Sequence, residues 1–481
     1  QPVASAPPLE SLAGKPYRER LIELLASDLD FHERESKYAT HNFHSFPAKF
    51  PPQLPRKFIL GLTEPGDTVL DPMAGSGTTI VESFLSGRKA MGFDIDPLAL
   101  RIAEVKVTPL VEREVRERGE RLLEKARRAV AERREALTVE LNEWWELDRP
   151  TRTFIEEWFH PSAQVELLAL RNEIQQIVNV GLRAFFEVVL SATIITKTGG
   201  VSLALDLAHT RPHKAKVLLD NQGQVLSGHQ ALEQQLRNIR VHTKTLRSPL
   251  DEFSKRLEQN VRALPQLPGG LIPAEVRPGD ARALPLAADT ADLIVTSPPY
   301  AANAIDYMRA HKFSLVWLGH PLATLTRKRQ VYIGSETGAE SDLIELPREV
   351  AALVAEFAGQ DRRKGRALHL YYSDMTRALR EMFRVCKPGR GVVLVVGNST
   401  MRGRDTETQN CLAAIAAQIG FDVPRIGVRN LDRDRRMMPA GNKVNLDSLI
   451  QQRMHVEYVI GLYKPDNWMG LKKEGSSFAP L

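Results

Sequence analysis

A β-α-β pattern built around a glycine-rich turn constrains the fold of this chain more than any other feature. Residues 68–70 form a short hydrophobic run that predicts a strand, and this run leads directly into residues 71–77, Asp-Pro-Met-Ala-Gly-Ser-Gly. Helical spacing of apolar residues follows over 79–86, and residues 90–95 predict a second strand. A strand, a helix and a second strand of these lengths are typical of an open, mostly parallel sheet, so we predict an α/β fold.

Strands and helices alternate again in the carboxyl-terminal part of the chain, and a mainly helical stretch separates the two parts. The further predicted strands begin at 275 and span 292–296, 391–397 and 456–463. The predicted helices of the middle stretch are 110–141, 154–160, 163–178, 182–195 and 230–264, whereas 199–228 and 320–364 lack a regular pattern. The predicted division is an N-terminal tail and helix (1–36), a first sheet segment (37–108), a helical insertion (109–270), a second sheet segment (271–465) and a C-terminal tail (466–481).

Composition places the chain among ordinary globular proteins and excludes several other classes. With 43% hydrophobic and 26% charged residues, it is neither disordered throughout nor a low-complexity polymer. The absence of any run of about 18 apolar residues argues against a membrane span. Cys386 and Cys411 stand outside any CxxC pair and are too few for a disulfide framework or a zinc cluster, so we expect no metal site and a reducing, cytoplasmic location.

Positive charge is concentrated in one part of the chain. The net charge is only +6, but residues 211–247 contain seven Lys or Arg residues and two acidic residues, an excess of +5. Such a cluster is typical either of a solvated helix face or of a surface that contacts nucleic-acid phosphates, and charge alone does not decide between them. With two smaller clusters included, the candidate phosphate contacts are Arg211, Lys214, Lys216, Arg237, Arg240, Lys244, Arg327, Lys328, Arg433 and Arg435.

The glycine-rich turn does not match the two commonest phosphate-binding loops. A Walker A loop requires a lysine after its last glycine, and a dinucleotide fingerprint requires a third glycine where Ile80 stands. Acidic residues at two predicted strand ends indicate another ligand. Asp94 is placed to bind ribose hydroxyls, and Asp280 is placed to accept a hydrogen bond from an adenine amine. The three strand ends together predict a pocket for an adenosine-containing ligand without a pyrophosphate.

The segment 292–300, Asp-Leu-Ile-Val-Thr-Ser-Pro-Pro-Tyr, is the most specific motif of the chain. A hydrophobic strand runs directly into two consecutive prolines, which fix φ and lack N–H donors, so a backbone carbonyl there is available as an acceptor facing a cleft. Together with the glycine-rich loop and the two acids, this motif resembles the S-adenosylmethionine-dependent amino-methyltransferases that act on the exocyclic nitrogen of DNA bases.

The resemblance covers both sheet segments and implies a class I (Rossmann-like) methyltransferase sheet interrupted by a large, mainly helical insertion, with S-adenosyl-L-methionine as the cofactor. It assigns cofactor binding to Phe46, Pro47, Lys49, Asp71, Pro72, Ala74, Gly75, Ser76, Gly77, Thr78, Asp94, Ile95, Asp280, Ala281 and Thr296. It assigns catalysis to Ser297, Pro298, Pro299 and Tyr300. One feature departs from the family, because the insertion precedes Asp280 instead of following that strand. Target recognition is therefore expected in 109–270, with 320–364 as a second candidate.

The chemistry that the resemblance implies suits these residues. An aromatic amine is a poor nucleophile because its lone pair is delocalised into the ring. The hydroxyl of Ser297 and the carbonyl of Pro298 are expected to accept the two amine hydrogens, and Tyr300 is expected to stack on the base. The base must leave the duplex first, because its amine is buried there. Transfer to carbon 5 would need a cysteine nucleophile, and neither Cys386 nor Cys411 has a Pro-Cys context.

The first residue of the tetrapeptide bears on the identity of the base. In the family, Ser-Pro-Pro-Tyr occurs mostly with N4 of cytosine, and Asp- or Asn-Pro-Pro-Tyr mostly with N6 of adenine. We therefore expect a site-specific cytosine-N4 methyltransferase that acts on double-stranded DNA. It is expected to be a monomer or homodimer that does not associate with a membrane, and a cognate restriction endonuclease is a candidate partner. Three alternatives stay open: an N6-adenine enzyme, an RNA base methyltransferase, and a DNA-binding subunit without catalysis, against which the intact Ser297, Tyr300 and Asp94 argue.

Overall fold

The computed structural model describes residues 12–32, 34–46, 49–144, 148–196, 198–207, 212–228, 243–264, 267, 272–301, 306–335, 342–397, 400–401, 404–431 and 456–466. Its strands are β1 (Thr68–Asp71), β2 (Lys89–Asp94), β3 (Val217–Leu219), β4 (Val225–Ser227), β5 (Thr243–Thr245), β6 (Glu275–Pro278), β7 (Ala291–Thr296), β8 (Cys386–Gly397), β9 (Thr400–Met401), β10 (Arg404–Asp405), β11 (Asp422–Asn430) and β12 (Val456–Tyr463). Its helices are α1 (Tyr17–Ala26), α2 (Gln53–Leu62), α3 (Thr78–Leu85), α4 (Pro97–Lys106), α5 (Glu112–Glu132), α6 (Arg134–Trp144), α7 (Arg149–Trp158), α8 (Pro161–Gln175), α9 (Val180–Ile194), α10 (Pro249–Val261), α11 (Met308–Leu315), α12 (Leu322–Gln330), α13 (Arg348–Gln360), α14 (Arg362–Val385) and α15 (Thr408–Ile419).

Seven strands form one sheet in the order β11-β12-β8-β7-β1-β2-β6. Strands β6, β2, β1, β7 and β8 are parallel, whereas β12 pairs antiparallel with both β8 and β11. Val69 of the first sheet segment lies opposite Leu293 of the second, so the two segments join in one sheet across the insertion. Because the parallel strands point the same way, their carboxyl ends lie along one edge. This sheet confirms the predicted Rossmann-like α/β fold.

The central strands are hydrophobic along their length because helices cover both faces of the sheet. Every residue of β7 is buried. Leu293 and Val295 belong to a core with residues of α1 and α2, and the intervening Ile294 belongs to a core with residues of α14 and α15. Successive strand residues therefore point to opposite, equally covered faces, as is typical of strands in parallel sheets.

The helical insertion packs on the sheet domain through a shared hydrophobic core. Helix α5 buries a stripe that includes Val115, Leu122 and Ala126, and α9 contacts α4, α8 and α10. The same cluster includes Ile102 of α4 and Trp317, which follows α11. A small sheet with the order β4-β3-β5 also belongs to the insertion. The insertion is thus buried against the two elements that flank the carboxyl edge of the large sheet.

The helix predicted over 230–264 is wrong in its central part. Thr243–Thr245 forms β5, and α10 begins only at Pro249. The side chain of Ser248 caps this helix, and a proline at the first helical position favours a start there. Residues 230–242 of the predicted helix lie outside the described residues.

Two other segments are more regular than their sequences indicate. Helices α12 and α13 occupy much of 320–364, for which no regular pattern was predicted. Strand β11, which was not predicted, carries Pro424 and Gly427, and only its partner β12 pairs with it in the large sheet. Polar residues, a proline and a glycine are tolerated at a sheet edge, and they hide the strand pattern. No helix in the described part of the chain is long and apolar enough to cross a membrane.

Candidate active site

A cleft of about 540 Å³ opens at the sheet edge where β1, β2, β6 and β7 end. It is lined by these sequence-predicted residues: Phe46, Lys49, Asp71, Pro72, Ala74, Gly75, Ser76, Thr78, Asp94, Ile95, Asp280, Ala281, Ser297 and Pro299. Four others are buried and do not line it, namely Gly77, Thr296, Pro298 and Tyr300, and Pro47 lies outside the described residues. Ligands of open α/β sheets bind outside the carboxyl ends of the strands, so the cleft has the position of a ligand site.

The glycine-rich loop has a left-handed backbone at two positions. The φ angle is +50° at Gly75 and +78° at Gly77, a region that favours glycine. A Cβ at Gly77 would lie 2.8 Å from the Cβ of Ala103, so this glycine also allows α3 to approach α4 closely. The buried Nζ of Lys106 donates a hydrogen bond to the carbonyl of Ser76 at 2.7 Å. Backbone conformation, helix packing and one side-chain hydrogen bond together determine the path of the loop.

Asp94, at the end of β2, connects its strand to the glycine-rich loop. Its Oδ2 accepts the backbone N–H of Gly75 at 2.8 Å, and its Oδ1 accepts that of Asp96 at 2.8 Å. Burial raises the pKa of Asp94 to about 6, and the nearby carboxylate of Asp96 also raises it. The Asp94 carboxyl therefore lines the cleft as an acceptor that changes its charge in mildly acidic solution.

Asp71, at the end of β1, is the second carboxyl with a raised pKa. Burial raises the pKa of Asp71 to about 7, although the nearby hydroxyls of Thr296 and Thr79 lower it in part. The backbone N–H of Met73 also donates to Asp71, at 3.2 Å. Neighbouring strand ends thus place two carboxyls in one cleft, and both titrate between mildly acidic and neutral pH.

Asp280 follows the end of β6 and forms an ion pair with Arg282. The guanidinium donates from Nε to Oδ1 at 3.0 Å and from Nη2 to Oδ2 at 2.7 Å. Burial raises the pKa of Asp280, but the hydrogen bonds from Arg282 outweigh this and hold the pKa below its ordinary value. Arg282 also donates to Asp374 of α14 at 2.9 Å. Any ligand that bonds to Asp280 would therefore share this carboxylate with Arg282.

The segment that contains His44 and Phe46 lies against the glycine-rich loop and forms an aromatic wall of the cleft. The ring of Phe46 stacks on that of Tyr307, with 5.2 Å between centroids and 24° between planes. Nε2 of His44 and Oγ of Ser191 in α9 are 2.9 Å apart, so the segment is also hydrogen-bonded to the insertion. Lys49, which lines the cleft, donates to the carbonyl of His41 at 3.0 Å.

The tetrapeptide 297–300 follows β7 at the carboxyl edge, and it presents Ser297 and Pro299 to the cleft. Tyr300 is only 9% exposed, and its hydroxyl donates to Oε1 of Glu457 at 3.0 Å. Burial raises the pKa of Tyr300 well above its ordinary value, as does Glu457, so the phenol stays protonated. The expected stacking of Tyr300 on a base does not fit this conformation, because the ring must first become uncovered.

Asp96 lines the cleft, although it was not among the predicted residues. It caps α4 and accepts hydrogen bonds from Nδ1 of His311 and from the hydroxyl of Tyr332, both at 2.8 Å. Burial raises the pKa of Asp96, but His311 and these hydrogen bonds hold it below its ordinary value. The pair Asp96-Pro97 at a helix start is a recognisable capping signal, whereas the contacts with His311 and Tyr332 could not be read from it.

The predicted phosphate contacts do not all have the exposure that this role requires. Lys214, Lys216, Arg327 and Lys328 are exposed. The prediction for Lys244 is wrong, because this residue is only 9% exposed and its Nζ donates to the carbonyl of Ala204. Burial lowers the pKa of Lys244 to about 7, which further reduces its use as a phosphate contact. The other predicted contacts lie outside the described residues: Arg211, Arg237, Arg240, Arg433 and Arg435.

A charged rim that the motifs did not indicate borders the same cleft. Asp306 pairs with Nε of Arg309 at 2.8 Å and with Nη2 of Arg329 at 2.6 Å, and all three residues line the cleft. Lys364 near the start of α14 lines it as well. The side of the cleft formed by 306–335 and α14 therefore carries mainly positive charge.

The chain is similar to known DNA methyltransferases. Residues 27–105 match the sequence model of a family described as DNA methylase. Type II methyltransferase M.MvaI of Kocuria varians is 24% identical over 399 residues, which cover 78% of this chain and 80% of that protein. Type II methyltransferase M.BsoBI of Geobacillus stearothermophilus is 22% identical over 426 residues, 81% of this chain and 80% of that protein. DNA adenine methyltransferase YhdJ of Escherichia coli (strain K12) is 40% identical over 60 residues, 12% of this chain and 20% of that protein.

The family match and the cleft involve the same residues. The matched segment 27–105 contains Phe46, residues 71–76 of the glycine-rich loop and Asp94, all of which line the cleft. The two relatives with the longer alignments are both Type II methyltransferases, and the similarity extends over 80% of each. Residues 27–105 therefore carry the sequence pattern of the DNA methylase family, and about 80% of the chain is similar to Type II DNA methyltransferases.

Proposed function

We propose that this chain transfers a methyl group from S-adenosylmethionine to N4 of a cytosine that has been flipped out of double-stranded DNA. The observation that carries the proposal is that a single cleft is lined both by the glycine-rich loop with Asp94 and by Ser297. A cofactor bound at Asp94 and an amine bound at Ser297 would therefore occupy one enclosed space, in which positioning supplies much of the rate.

The cleft suits S-adenosylmethionine in both size and chemistry. Its volume of about 540 Å³ lies inside the usual range of ligand pockets, about 300–1,000 Å³. Asp94 can accept hydrogen bonds from ribose hydroxyls, Asp280 can accept one from the adenine amine, and the ionised forms of Asp71 and Asp94 favour a cationic ligand. When bound, this cofactor supplies an electrophilic methyl group on a positively charged sulfur.

The tetrapeptide prepares the amine of the base. The hydroxyl of Ser297, which lines the cleft, accepts one amine hydrogen. The family resemblance assigns the second to the carbonyl of Pro298, a buried residue that does not itself line the cleft. Two acceptors on one nitrogen bend it towards a tetrahedral geometry, which withdraws its lone pair from the ring and makes it a nucleophile. This role requires the acceptors to be held in place before the base arrives, since their benefit is positional.

The serine at position 297 supports cytosine, because Ser-Pro-Pro-Tyr occurs mostly with N4 of cytosine in the family. Adenine is the second candidate, favoured by the 40% identity over 60 residues with a DNA adenine methyltransferase. A serine hydroxyl accepts a hydrogen bond equally well from either amine, so the identity of the methylated nucleoside must be measured directly.

The charged rim supports an approach of DNA from the side of α12 and α14. Arg309, Arg329 and Lys364 line the cleft, and Arg327 and Lys328 are exposed on α12. These cations would contact phosphates around the extruded base, whose removal from the stack costs a few kcal/mol. We assign target reading to the insertion, 109–270, with 320–364 as the second candidate. A cognate restriction endonuclease that cleaves the same unmethylated site is the partner that this function predicts.

The function is tested by incubating the protein with unmethylated bacteriophage DNA and S-adenosylmethionine that carries a labelled methyl group. The DNA is then digested to nucleosides, which are separated by liquid chromatography and identified by retention time and mass. We expect the label in N4-methyldeoxycytidine. Label only in N6-methyldeoxyadenosine would contradict the cytosine assignment. Label in a parallel incubation with structured RNA, without label in the DNA, would contradict the choice of DNA.

Substitution of Ser297 tests the catalytic assignment in the same assay. Ser297→Ala is expected to lower kcat by about a hundredfold or more while cofactor binding, measured by calorimetry, changes little. Ser86→Ala, at the residue that follows α3 and does not line the cleft, is the control and should leave both values unchanged. A fully active Ser297→Ala variant would show that the serine is not an acceptor in the reaction.

A further inference from the structure

Two buried side chains from distant parts of the chain bond to the tetrapeptide. The hydroxyl of Tyr371 in α14 donates to the carbonyl of Pro299 at 2.8 Å. On the other side, the hydroxyl of Tyr300 donates to Oε1 of Glu457 at the start of β12. The second carboxylate oxygen of Glu457 accepts a hydrogen bond from Nη1 of Arg429 in β11.

The sheet topology brings Glu457 to this place. Glu457 lies opposite Gly397 at the carboxyl end of β8 and opposite Arg429 of β11. Because β12 runs antiparallel to its neighbours, its first residues lie at the edge where β7 ends and the tetrapeptide begins. Glu457 and Arg429 are both buried, so a change in either would be transmitted directly to Tyr300.

The tetrapeptide needs such contacts because its own backbone offers few. Pro298 and Pro299 have no N–H groups, so these two residues cannot be held by donating backbone hydrogen bonds. The contacts come instead from a proline carbonyl and from the tyrosine side chain that follows. The carbonyl of Pro299 accepts a hydrogen bond from Tyr371, and the hydroxyl of Tyr300 donates one to Glu457.

We propose that Tyr371 and Glu457 are positioning residues, which hold Ser297 and Pro298 in the geometry that an amine requires by fixing the two residues that follow them. This inference rests on the proposed function. Neither residue lines the cleft, so each acts through the tetrapeptide and not through contact with cofactor or base.

The neighbouring tyrosine provides a matched control for Tyr371. Tyr372 is also buried in α14, and its hydroxyl also donates to a backbone carbonyl, that of Thr406, at 3.1 Å. Tyr371→Phe and Tyr372→Phe therefore remove the same chemical group from equally buried sites on one helix. We expect kcat to fall about tenfold for Tyr371→Phe, with KM for DNA and the cofactor affinity nearly unchanged, and to stay within about twofold for Tyr372→Phe.

Glu457 needs a different design, because removing it alone leaves Arg429 buried without its partner. The double variant Glu457→Leu/Arg429→Leu removes both charges, and such replacements of buried ion pairs often fold well. It lacks an acceptor for Tyr300, so we expect kcat to fall about tenfold. The control variant Glu457→Gln/Arg429→Leu retains an acceptor oxygen for Tyr300 and leaves no buried charge, so it should keep kcat within about threefold of the wild type.

Amide hydrogen exchange at Tyr300 and Ala301 gives a readout that does not depend on activity. Exchange there should be faster in Tyr371→Phe and in Glu457→Leu/Arg429→Leu than in the wild type, and unchanged in Tyr372→Phe. Equal kcat and equal exchange in Tyr371→Phe and Tyr372→Phe would overturn the inference for Tyr371. Wild-type kcat and exchange in Glu457→Leu/Arg429→Leu would overturn the inference for Glu457. Methylation of another base, or of none, would contradict the proposed function but would leave the exchange comparison decisive.

Discussion

The carboxylate of Asp94 accepts the backbone N–H of Gly75 across 2.8 Å, so the end of β2 is bonded directly to the loop that follows β1. This hydrogen bond connects the residue proposed to bind ribose with the loop proposed to lie under the cofactor. Since burial raises the pKa of Asp94 to about 6, the charge at this junction depends on pH in an accessible range.

We predict that cofactor affinity falls as the pH drops through about 6. Ribose hydroxyls donate hydrogen bonds, and a sulfonium ligand is cationic, so the ionised form of Asp94 should bind more tightly than the protonated form. Calorimetric titrations between pH 5 and pH 8 would measure this. Asp94→Asn should bind about tenfold or more weakly at pH 8 and should have a shallower dependence on pH. Asp251→Asn, an exposed residue of α10, is the control. Identical pH profiles for Asp94→Asn and the wild type would contradict the assignment.

Ionisation of Asp71 should lower the folding stability as the pH rises, whereas cofactor affinity is expected to fall as the pH drops. Its folded pKa of about 7 exceeds the unfolded value near 3.9, so the folded protein binds the proton more tightly and loses stability as the pH rises between these values. Asp71→Asn removes this ionisation. We expect the variant to be more stable than the ligand-free wild type by about 1–3 kcal/mol at pH 8 and equally stable near pH 4. Urea unfolding at the two pH values measures the difference, and a less stable variant at pH 8 would contradict the raised pKa.

Gly77→Ala should destabilise the protein by about 2–4 kcal/mol, because a left-handed backbone strains alanine and the added Cβ would overlap Ala103. Gly66→Ala separates the two causes, since φ is +91° there but nothing lies within 4 Å of the added Cβ. That control should cost only about 1–2 kcal/mol. Chemical unfolding curves compare the two variants. Equal losses would show that contact between α3 and α4 is not limiting.

Arg327→Ala and Lys328→Ala should each weaken DNA binding across all sequences. A lost phosphate contact reduces the slope of log affinity against log salt concentration by about one. The control is Lys89→Ala, because Lys89 is the first residue of β2 and lies at the sheet edge opposite the cleft. Binding measured at several salt concentrations distinguishes these variants. Unchanged slopes in both α12 variants would show that this helix is a solvated surface that does not contact DNA phosphates.

The two cysteines should be dispensable for catalysis. Burial raises the pKa of Cys386 to about 12 and that of Cys411 to about 11, so neither is present as a thiolate near neutral pH. We expect the double variant Cys386→Ala/Cys411→Ala to keep kcat within about threefold while losing about 1–3 kcal/mol of stability from the smaller side chains. Loss of methyl transfer from a folded double variant would indicate a cysteine-dependent reaction.

Much of the cleft could be predicted because its residues follow strands in the sequence. Asp71, Asp94 and Ser297 each come at or directly after a short hydrophobic run. Once the strands are parallel and adjacent, the carboxyl ends must meet along one edge, and the residues after them must come together. Chain-local patterns therefore predicted the α/β fold and the strand ends that form the cleft, although Asp71 and Ser297 are 226 positions apart in the sequence. The resemblance to the amino-methyltransferases supplied the roles of the other lining residues.

Other features depended on contacts that no local pattern carries. Lys244 was predicted as a phosphate contact because it belongs to a basic segment, yet the structure buries it against Ala204. Tyr300 is covered because β12 returns antiparallel and brings Glu457 to the same edge, 157 residues further along the chain. The sequence by itself determined which residues follow which strands, since strand formation depends on local hydrophobic patterning. Only the tertiary structure decided which of their side chains are exposed, because burial and hydrogen bonding depend on elements that are distant in sequence and adjacent in space.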